Sequence, residues 1–154
     1  MKIYMAGPLF SVADQKQRIY EAETLNKSLA AVNQKENYQV FSPITAPVND
    51  KSTLPTAEMI YKLDRDELLA SEIVFMDLAG YDAGTMMELG MIVQKEGVKV
   101  FAYDSDMRIG TAGEYDGIRV PYGANQFVIG GLIQEGHGVY HTFEEAMAAF
   151  LMNI

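Results

Sequence analysis

The chain has 154 residues, of which 49% are hydrophobic and 21% charged, and it contains no cysteine. This length and composition predict a single globular domain over 1–154, and the lack of cysteine excludes disulfides, thiolate metal sites and a cysteine nucleophile. The formal charge of −9 disfavours nucleic acid and anionic membranes as partners, because an acidic surface repels phosphate groups. No stretch approaches the roughly 20 apolar residues of a membrane span. The apolar stretch at the N-terminus is too short for a secretion signal, so we expect a cytoplasmic protein.

The first half of the chain alternates between strand and helix patterns. A short apolar run over 2–5 predicts a buried strand, and 38–41 predicts a second one. Between them, 12–32 has helical spacing with Ser11 as N-cap. Its predicted apolar face consists of Ile19, Ala22, Leu25, Leu29 and Val32. Three prolines over 42–56 predict a loop, and 57–70 predicts a second helix.

The second half continues the alternation. We predict a strand over 73–76 ending at Asp77, a loop over 80–84, and a helix over 85–96 capped by Thr85 and ended by Gly97. A fourth strand is predicted over 98–102, followed by a long loop over 104–124. The pattern over 126–133 fits either a fifth strand or a short helix. The last helix, 142–152, begins with a capping-box pattern of Thr142 and Glu145.

This order predicts an α/β fold, a three-layer sandwich around a mostly parallel five-stranded sheet of the flavodoxin or Rossmann-like type. Ligands of such sheets bind beyond the carboxyl ends of the strands. Those segments here are 4–11, 41–55, 77–84 and 103–125.

Three carboxylates are candidates for chemistry. Asp82 lies in the loop before the third helix, and Glu88 lies one turn into that helix among apolar neighbours. Asp64 shares a face with Leu68 and Ile60 on the second helix. Each also has an ordinary structural interpretation, as a turn residue, a helix-face residue near the helix dipole, or a surface charge.

Several motifs resemble those of the nucleoside 2-deoxyribosyltransferase family. They are YMAGPLFS over 4–11, YKLD over 61–64, SEIVF over 71–75 and DAGTMMELG over 82–90, with GVKVF over 97–101 and Asp106, Met107 and Arg108 also similar. The motif over 82–90, an acid followed by Gly-Thr and then Glu-x-Gly, is the most specific. The resemblance covers about 2–133.

The resemblance implies transfer of 2-deoxyribose between nucleobases by double displacement, without a cofactor or metal. It implies that Glu88 is the nucleophile, that Asp64 is the acid that protonates the leaving base, and that Tyr4 orients Glu88. Expected substrate-binding residues are Asp82, Phe10, Gly7, Asn125 and Met87. Asp82 would accept a hydrogen bond from the 5′-hydroxyl, and Phe10 would line the base pocket.

Asn125 matches a family position that a neighbouring subunit contributes. The resemblance therefore implies a homo-oligomer, from dimer to hexamer, with shared sites. The expected small-molecule partners are 2′-deoxynucleosides and free nucleobases. Met86, Met87 and Phe10 are candidates for an apolar wall around the reacting centre, although core packing is the more ordinary role for at least one methionine.

Three alternatives stay open on the sequence. One is an N-glycosidase of nucleoside 5′-monophosphates, which Asp82 disfavours because a carboxylate repels phosphate. The second is a nucleoside hydrolase, and the third is a non-catalytic nucleotide-binding module. No GxGxxG fingerprint is present, so a dinucleotide cofactor is not expected. His137 and His141 have no companion metal ligands and are expected at the surface.

Overall fold

The computed structural model describes residues 1–46, 54–106, 112–115, 118–121 and 125–154. Met107 and Arg108 lie outside the described residues, as do parts of the predicted loops over 42–56 and 104–124. Among the described residues, no helix is both long and apolar enough to cross a membrane.

In the described part of the chain, seven strands form two sheets. Five parallel strands make the central sheet in the order β2-β1-β3-β4-β7, and β5 and β6 pair separately as an antiparallel ribbon. In chain order the strands are β1 Lys2–Ala6, β2 Gln39–Phe41, β3 Ile73–Asp77, β4 Lys99–Tyr103, β5 Ala112–Tyr115, β6 Ile118–Pro121 and β7 Gly138–Tyr140.

Helices cover both faces of the sheet, which makes the predicted three-layer α/β sandwich. In chain order they are α1 Val12–Ala31, α2 Ala57–Leu69, α3 Ala83–Ile92, α4 Gln126–Gln134 and α5 Phe143–Leu151. One apolar core joins the sheet to α1 and α5, and the other joins it to α2, α3 and α4.

Strand β1 determines which side chains face which helices. Successive side chains of a strand point to opposite faces, so Ile3 and Met5 pack against α1 and α5. Tyr4 and Ala6 belong to the opposite core, together with residues of α2 and α3. Tyr4 therefore lies in the same layer as Asp64 of α2 and Glu88 of α3.

The strand order reverses direction beside β1. The chain leaves β1 towards β2 on one side and then returns to β3 on the other. Parallel sheets open a crevice at such a reversal, beyond the carboxyl ends of the two strands. Residues after β1 and β3 are thus placed at one crevice, as the strand pattern predicted.

The predicted bounds of the third helix and the predicted long loop over 104–124 were wrong in detail, and the structure decides the segment over 126–133, which the sequence left open. The third helix begins at Ala83 with Asp82 as its N-cap, not at Thr85, and it ends at Ile92 rather than at Glu96. The segment over 126–133 is helix α4, and the fifth strand is the three-residue β7, which no pattern predicted. Strands β5 and β6 lie within the predicted long loop over 104–124. Strands of three or four residues have too few alternations to show a period, so pairing with neighbours decides them.

The buried face of α1 also differs from the prediction. Ile19 and Val32 are 41% and 45% exposed, whereas Arg18 and Glu21 are buried beside Ala22. The helix is rotated so that an ion pair, which apolar spacing cannot indicate, reaches the end of the sheet. In α5, the Thr142 side chain accepts from the Glu145 N–H at 3.1 Å, but the Glu145 carboxylate accepts from His141 N–H instead of closing the predicted box.

Candidate active site

A cavity of about 500 Å³ opens at the crevice beyond β1 and β3. This volume is in the range of small-molecule sites. Its lining comes from the β1–α1 segment, the first turn of α1, the turn after β2, α2 and the start of α3. The lining residues are Gly7, Leu9, Phe10, Gln15, Pro43, Ile44, Ile60, Asp64, Asp82, Gly84, Thr85 and Glu88.

Glu88 is held by a tyrosine beneath the cavity. The Tyr4 hydroxyl donates to Glu88 Oε1 at 2.6 Å, a length typical of a hydrogen bond to an ionised acceptor. Tyr4 is fully buried, and its ring stacks on Phe41 at a centroid distance of 5.5 Å. Burial and the neighbouring Glu88 carboxylate raise the pKa of Tyr4, so the phenol keeps its proton and acts as a donor.

The Glu88 carboxyl group binds and releases a proton near neutral pH. Burial raises its pKa to about 7, the Tyr4 hydrogen bond works in the opposite direction, and the charges of Asp64 and Asp82 raise it further. A carboxyl group with such a pKa changes its charge within the physiological range. Perturbed pKa values of this kind are common among catalytic groups.

Asp64 faces the cavity from α2, one turn after Ile60. Its Oδ1 is buried and has no hydrogen-bond partner among the described residues. Burial raises the pKa of Asp64 to about 6. A buried oxygen without a partner is costly, and it is suited to exchange a proton with a bound ligand.

Asp82 joins the cavity to helix α3. Its Oδ1 accepts from the Thr85 N–H at 3.0 Å and from the Thr85 hydroxyl at 3.2 Å, which caps the helix. The turn before it has left-handed backbone at Gly80 and Tyr81, with φ of 71° and 50°. This turn and cap fix where α3 begins, and hence where Glu88 lies.

The model of the family described as nucleoside 2-deoxyribosyltransferase matches residues 3–138 of the chain. The chain belongs to this family. A curated relative, the uncharacterized protein UU063 of Ureaplasma parvum serovar 3, is 29% identical, and the match covers 71% of this chain and 73% of that protein.

Solved structures with the same fold include two proteins named as 2-deoxyribosyltransferases. A conserved protein of Enterococcus faecalis V583 superposes with a TM-score of 0.76 at 26% identity, covering 100% of this chain and 99% of the other. The 2-deoxyribosyltransferase of Bacillus psychrosaccharolyticus gives 0.63 at 21% identity, covering 96% and 90%. The Leishmania mexicana enzyme gives 0.61 at 21% identity, covering 98% and 97%. At 21% identity, the similarity to these two proteins shows that the chain shares their fold.

The other family-matched residues are distributed differently. Gly7 and Phe10 line the cavity, and Phe10 is 88% exposed at its edge. Met87 is 54% exposed and is not among the lining residues. Its neighbour Met86 packs against the core shared by α2, α3 and α4. The apolar wall of the cavity therefore comes from the β1–α1 segment and the turn after β2, not from these methionines.

Asn125 lies outside the cavity of its own chain. Its Oδ1 accepts from the N–H groups of Phe127 and Val128 and caps α4, and its own N–H donates to the Tyr81 hydroxyl. Its side chain is exposed. Asn125 is thus fixed by the turn that leads to Asp82 and is open to a neighbouring molecule.

The two histidines differ from each other. His137 is half-buried, because its ring accepts from Val100 N–H and donates through Nε2 to the Val93 carbonyl at 2.8 Å. The expectation of a surface role was wrong for His137, and His141 is exposed. Within the described ranges, no group of three His, Asp or Glu side chains is arranged to hold a metal ion.

Sequence patterns missed a buried ion cluster beneath the cavity. Arg18 Nη2 contacts Asp77 Oδ2 at 2.5 Å and Glu21 Oε1 at 2.9 Å. Asp77 Oδ1 also accepts from the Ala79 N–H at 2.9 Å, so the cluster fixes the turn that leaves β3. Burial raises the pKa of Glu21 to about 7, although Arg18 opposes this. The sequence shows that Arg18 shares a helix face with the apolar Ala22 and Leu25, but this spacing does not indicate that Arg18 meets Asp77.

We expect Gly7→Ala to lower the free energy of unfolding by about 2–4 kcal/mol, near the effect of breaking a buried ion pair. A Cβ at this position would lie 1.7 Å from Arg18 Nη1, and the buried guanidinium cannot move away without losing Asp77. Chemical denaturation at neutral pH measures this difference.

Gly90→Ala is the matched control for this substitution. Gly90 is an exposed residue of α3 with no atom within 4 Å of an added Cβ. Alanine there should stabilise the helix by about 0.5–1 kcal/mol. Equal stability of Gly7→Ala and the unmodified protein would contradict the close contact with Arg18.

Proposed function

We propose that this protein transfers 2-deoxyribose between nucleobases through a covalent intermediate on Glu88. The observation that carries the proposal is that one cavity holds both Glu88, bonded to the Tyr4 hydroxyl, and Asp64, whose Oδ1 has no hydrogen-bond partner in the described part of the chain. One carboxylate serves as nucleophile and the other supplies a proton, which is the division of labour that N-glycosidic bond cleavage needs. Membership of the 2-deoxyribosyltransferase family supports the identity of the sugar.

The first half-reaction forms an ester. An oxygen of the ionised Glu88 attacks C1′ of the deoxynucleoside, the C1′–N bond breaks, and its electron pair goes to the base. Asp64 donates its proton to that base, which leaves neutral. In the second half-reaction, a nitrogen of the incoming base attacks C1′, the ester C1′–O bond breaks, and its electrons return to Glu88. Asp64 then takes the proton that the incoming base loses.

Tyr4 contributes by fixing the nucleophile. Its hydroxyl occupies Glu88 Oε1, which leaves Oε2 to attack C1′. The hydrogen bond also favours the ionised carboxylate against the burial that raises its pKa. A carboxylate with one oxygen tied to a rigid ring loses little conformational freedom on reaching the transition state.

Apolar side chains around the cavity favour transfer over hydrolysis. Leu9, Pro43, Ile44 and Ile60 line it, and a bound base against them would exclude water from the ester. The hydrolase alternative predicts release of free base without an acceptor. The non-catalytic alternative predicts ligand binding without turnover, and the raised pKa values of Glu88 and Asp64 favour catalysis over it.

Asp82 favours free nucleosides over their 5′-monophosphates, because its carboxylate lines the cavity and repels phosphate. We propose that it accepts a hydrogen bond from the 5′-hydroxyl. Asp82→Ser is expected to lower kcat/KM for deoxynucleosides about 10- to 100-fold, the range for one hydrogen bond to a charged group. Serine can still cap α3. Steady-state kinetics with deoxynucleosides measures this loss, and the same kinetics with their monophosphates measures the repulsion of phosphate by the Asp82 carboxylate.

Asp66→Ser is the control, because Asp66 is exposed on α2 and pairs with Arg65 outside the cavity. Unchanged kinetics in Asp82→Ser would remove Asp82 from the site.

We propose that Asn125 completes the site of a neighbouring copy. Its exposed position outside its own cavity, with its Oδ1 already used as a helix cap, supports this role. The protein would then be a homo-oligomer, at least a dimer. Sedimentation that finds a fully active monomer would contradict shared sites.

The test of the activity is base exchange. Purified protein is incubated with deoxyinosine or thymidine, with and without adenine, and the products are separated by chromatography. Formation of deoxyadenosine only when adenine is present supports transfer, and the donor that reacts reveals the class of base. Release of free base at the same rate without adenine would show a hydrolase. Turnover of deoxynucleoside monophosphates alone would overturn the role of Asp82.

A further inference from the structure

The cavity has two chemically different parts. Its acidic part consists of Asp64, Asp82 and Glu88, with the Thr85 hydroxyl beside them. Its apolar part consists of Leu9, Phe10, Pro43, Ile44 and Ile60. Among the described lining residues, Gln15 is the one polar side chain that belongs to neither the acidic group nor its helix cap.

The apolar part is where the proposed function places the base. Asp64 must reach a nitrogen of the leaving base, and Ile60 lies on the same face of α2 one turn earlier. A planar heterocycle is stabilised by contact with flat, apolar surfaces. The edge of that heterocycle also carries donors and acceptors, which lose water when the base enters and then need partners.

Gln15 has a fixed orientation at this cavity. Its Nε2 donates to the Leu9 carbonyl at 3.0 Å. Because a carbonyl only accepts, this contact determines which end of the carboxamide is nitrogen and which is oxygen. The Oε1 atom has no hydrogen-bond partner among the described residues, so it remains an acceptor at the cavity.

We propose that Gln15 is a specificity-determining residue, whose Oε1 accepts a hydrogen bond from an N–H on the edge of the nucleobase. The proposal rests on the proposed function for the position of the base. Adenine and cytosine offer such a donor in an exocyclic amino group, and hypoxanthine, guanine and thymine offer one in a ring N–H. Unsubstituted purine, joined to the sugar through N9, has no N–H on the base.

The difference between bases should be large enough to measure. A base without the donor leaves Oε1 desolvated and unpaired, and the cost of an unpaired buried acceptor corresponds to about a 5- to 100-fold loss of affinity. A site built around a polar contact discriminates more strongly than an apolar pocket does.

The experiment is equilibrium binding by calorimetry, with Glu88→Gln protein so that the nucleosides remain intact. The ligands are 2′-deoxyadenosine, 2′-deoxyinosine and purine 2′-deoxyriboside. We expect the better bound of the first two to exceed purine 2′-deoxyriboside in affinity about 5- to 100-fold. Adding Gln15→Met keeps the side-chain length without the carboxamide. It should bring this ratio to about 1, because it lowers the affinity for the better bound nucleoside and leaves the affinity for purine 2′-deoxyriboside unchanged.

Gln17→Met is the matched control on the same helix. Gln17 donates to Glu21 and does not line the cavity, so its replacement should leave the ratio unchanged. Equal affinities for the three ligands in the protein with Gln15 intact would overturn the proposal, even if Gln15→Met failed to fold. A ratio that survives Gln15→Met, or no binding of any ligand, would also overturn it.

Failure of the proposed function gives a different result. Suppose that binding is selective and depends on Gln15, but the unmodified protein exchanges no base. That result would contradict the transferase activity and still support recognition of the base by Gln15.

Discussion

Glu88→Gln is expected to lower kcat/KM for base exchange by about 10³-fold or more. The neutral amide cannot form the ester with C1′, and losing a covalent nucleophile removes the two-step route altogether. The hydrogen bond from Tyr4 can still form to the amide oxygen, so the cavity should keep its shape. Single-turnover kinetics with deoxyinosine and adenine measures the loss.

The same substitution is expected to stabilise the protein at alkaline pH. The pKa of Glu88 is raised from 4.5 to about 7 by burial, so the folded state holds its proton more tightly than the unfolded state. The unmodified protein therefore loses stability as pH rises from about 4.5 to about 7. Glutamine has no such loss, and its advantage at pH 8 should be about 1–3 kcal/mol, reduced by solvent at the cavity.

Thermal and denaturant unfolding at pH 5 and pH 8 measure this difference. Glu96→Gln is the control, because Glu96 is exposed just beyond α3. Base exchange by the Glu88→Gln protein would contradict the role of Glu88 as nucleophile. If this variant and the unmodified protein were equally stable at both pH values, the burial of the Glu88 charge would be contradicted. Sites of catalysis often carry such a cost in stability.

Asp64→Asn is expected to have a second large effect, on leaving groups that need a proton. We expect kcat/KM with deoxyadenosine or deoxyinosine to fall about 10²- to 10⁴-fold, the usual contribution of a general acid. The base of 7-methyl-2′-deoxyguanosine is already cationic and leaves neutral without protonation. Cleavage of that nucleoside should change by less than about tenfold, which separates loss of the acid from loss of the site.

The pH profile gives an independent reading of the same residues. Burial raises the pKa of Asp64 to about 6 and that of Glu88 to about 7, and two acids in one cavity titrate as a pair. The active form has one proton on the pair, held by Asp64, and it is the minor form because the higher pKa of Glu88 favours the proton there. Since this form is lost at both low and high pH, kcat/KM for natural nucleosides should be bell-shaped with its maximum between about 6 and 7. With the cationic nucleoside, which needs no proton from Asp64, we expect no fall at alkaline pH in either the unmodified protein or Asp64→Asn.

Asp66→Asn is the control, since Asp66 is exposed on the same helix and pairs with Arg65. Equal losses with neutral and cationic bases would show that Asp64 holds the site together rather than delivering a proton.

Much of the fold follows from local sequence. The buried strand β1 and the Ser11-capped α1 each have a sequence pattern of several residues, and the bounds of both lie within about two residues of the predicted ones. The alternation of strand and helix was predicted from the same kind of pattern. The start of α3 was misplaced because Thr85 and Asp82 are both good caps. The structure chooses Asp82, whose carboxylate accepts from both the N–H and the hydroxyl of Thr85.

The candidate site was also predicted only in part. The order of strands and the motifs around Tyr4, Asp64, Asp82 and Glu88 predicted which residues meet, because carboxyl ends of parallel strands share one edge. Sequence alone gave no orientation for Met87, which is not among the residues that line the cavity, and it did not indicate that the Asn125 side chain caps α4.

By itself, the sequence determined the parallel α/β sandwich, the family and the carboxylates of the crevice, because periodicity and spaced motifs are local properties. Only the tertiary structure decided that Arg18 and Glu21 are buried, that Asp64 Oδ1 has no hydrogen-bond partner among the described residues, and that Gln15 lines the cavity with its Nε2 bonded to the Leu9 carbonyl. Charged and amide side chains on a helix look solvent-exposed in a sequence. Whether such a group meets water, an ion partner or a ligand depends on the segments packed against it, which the residues along one helix do not specify.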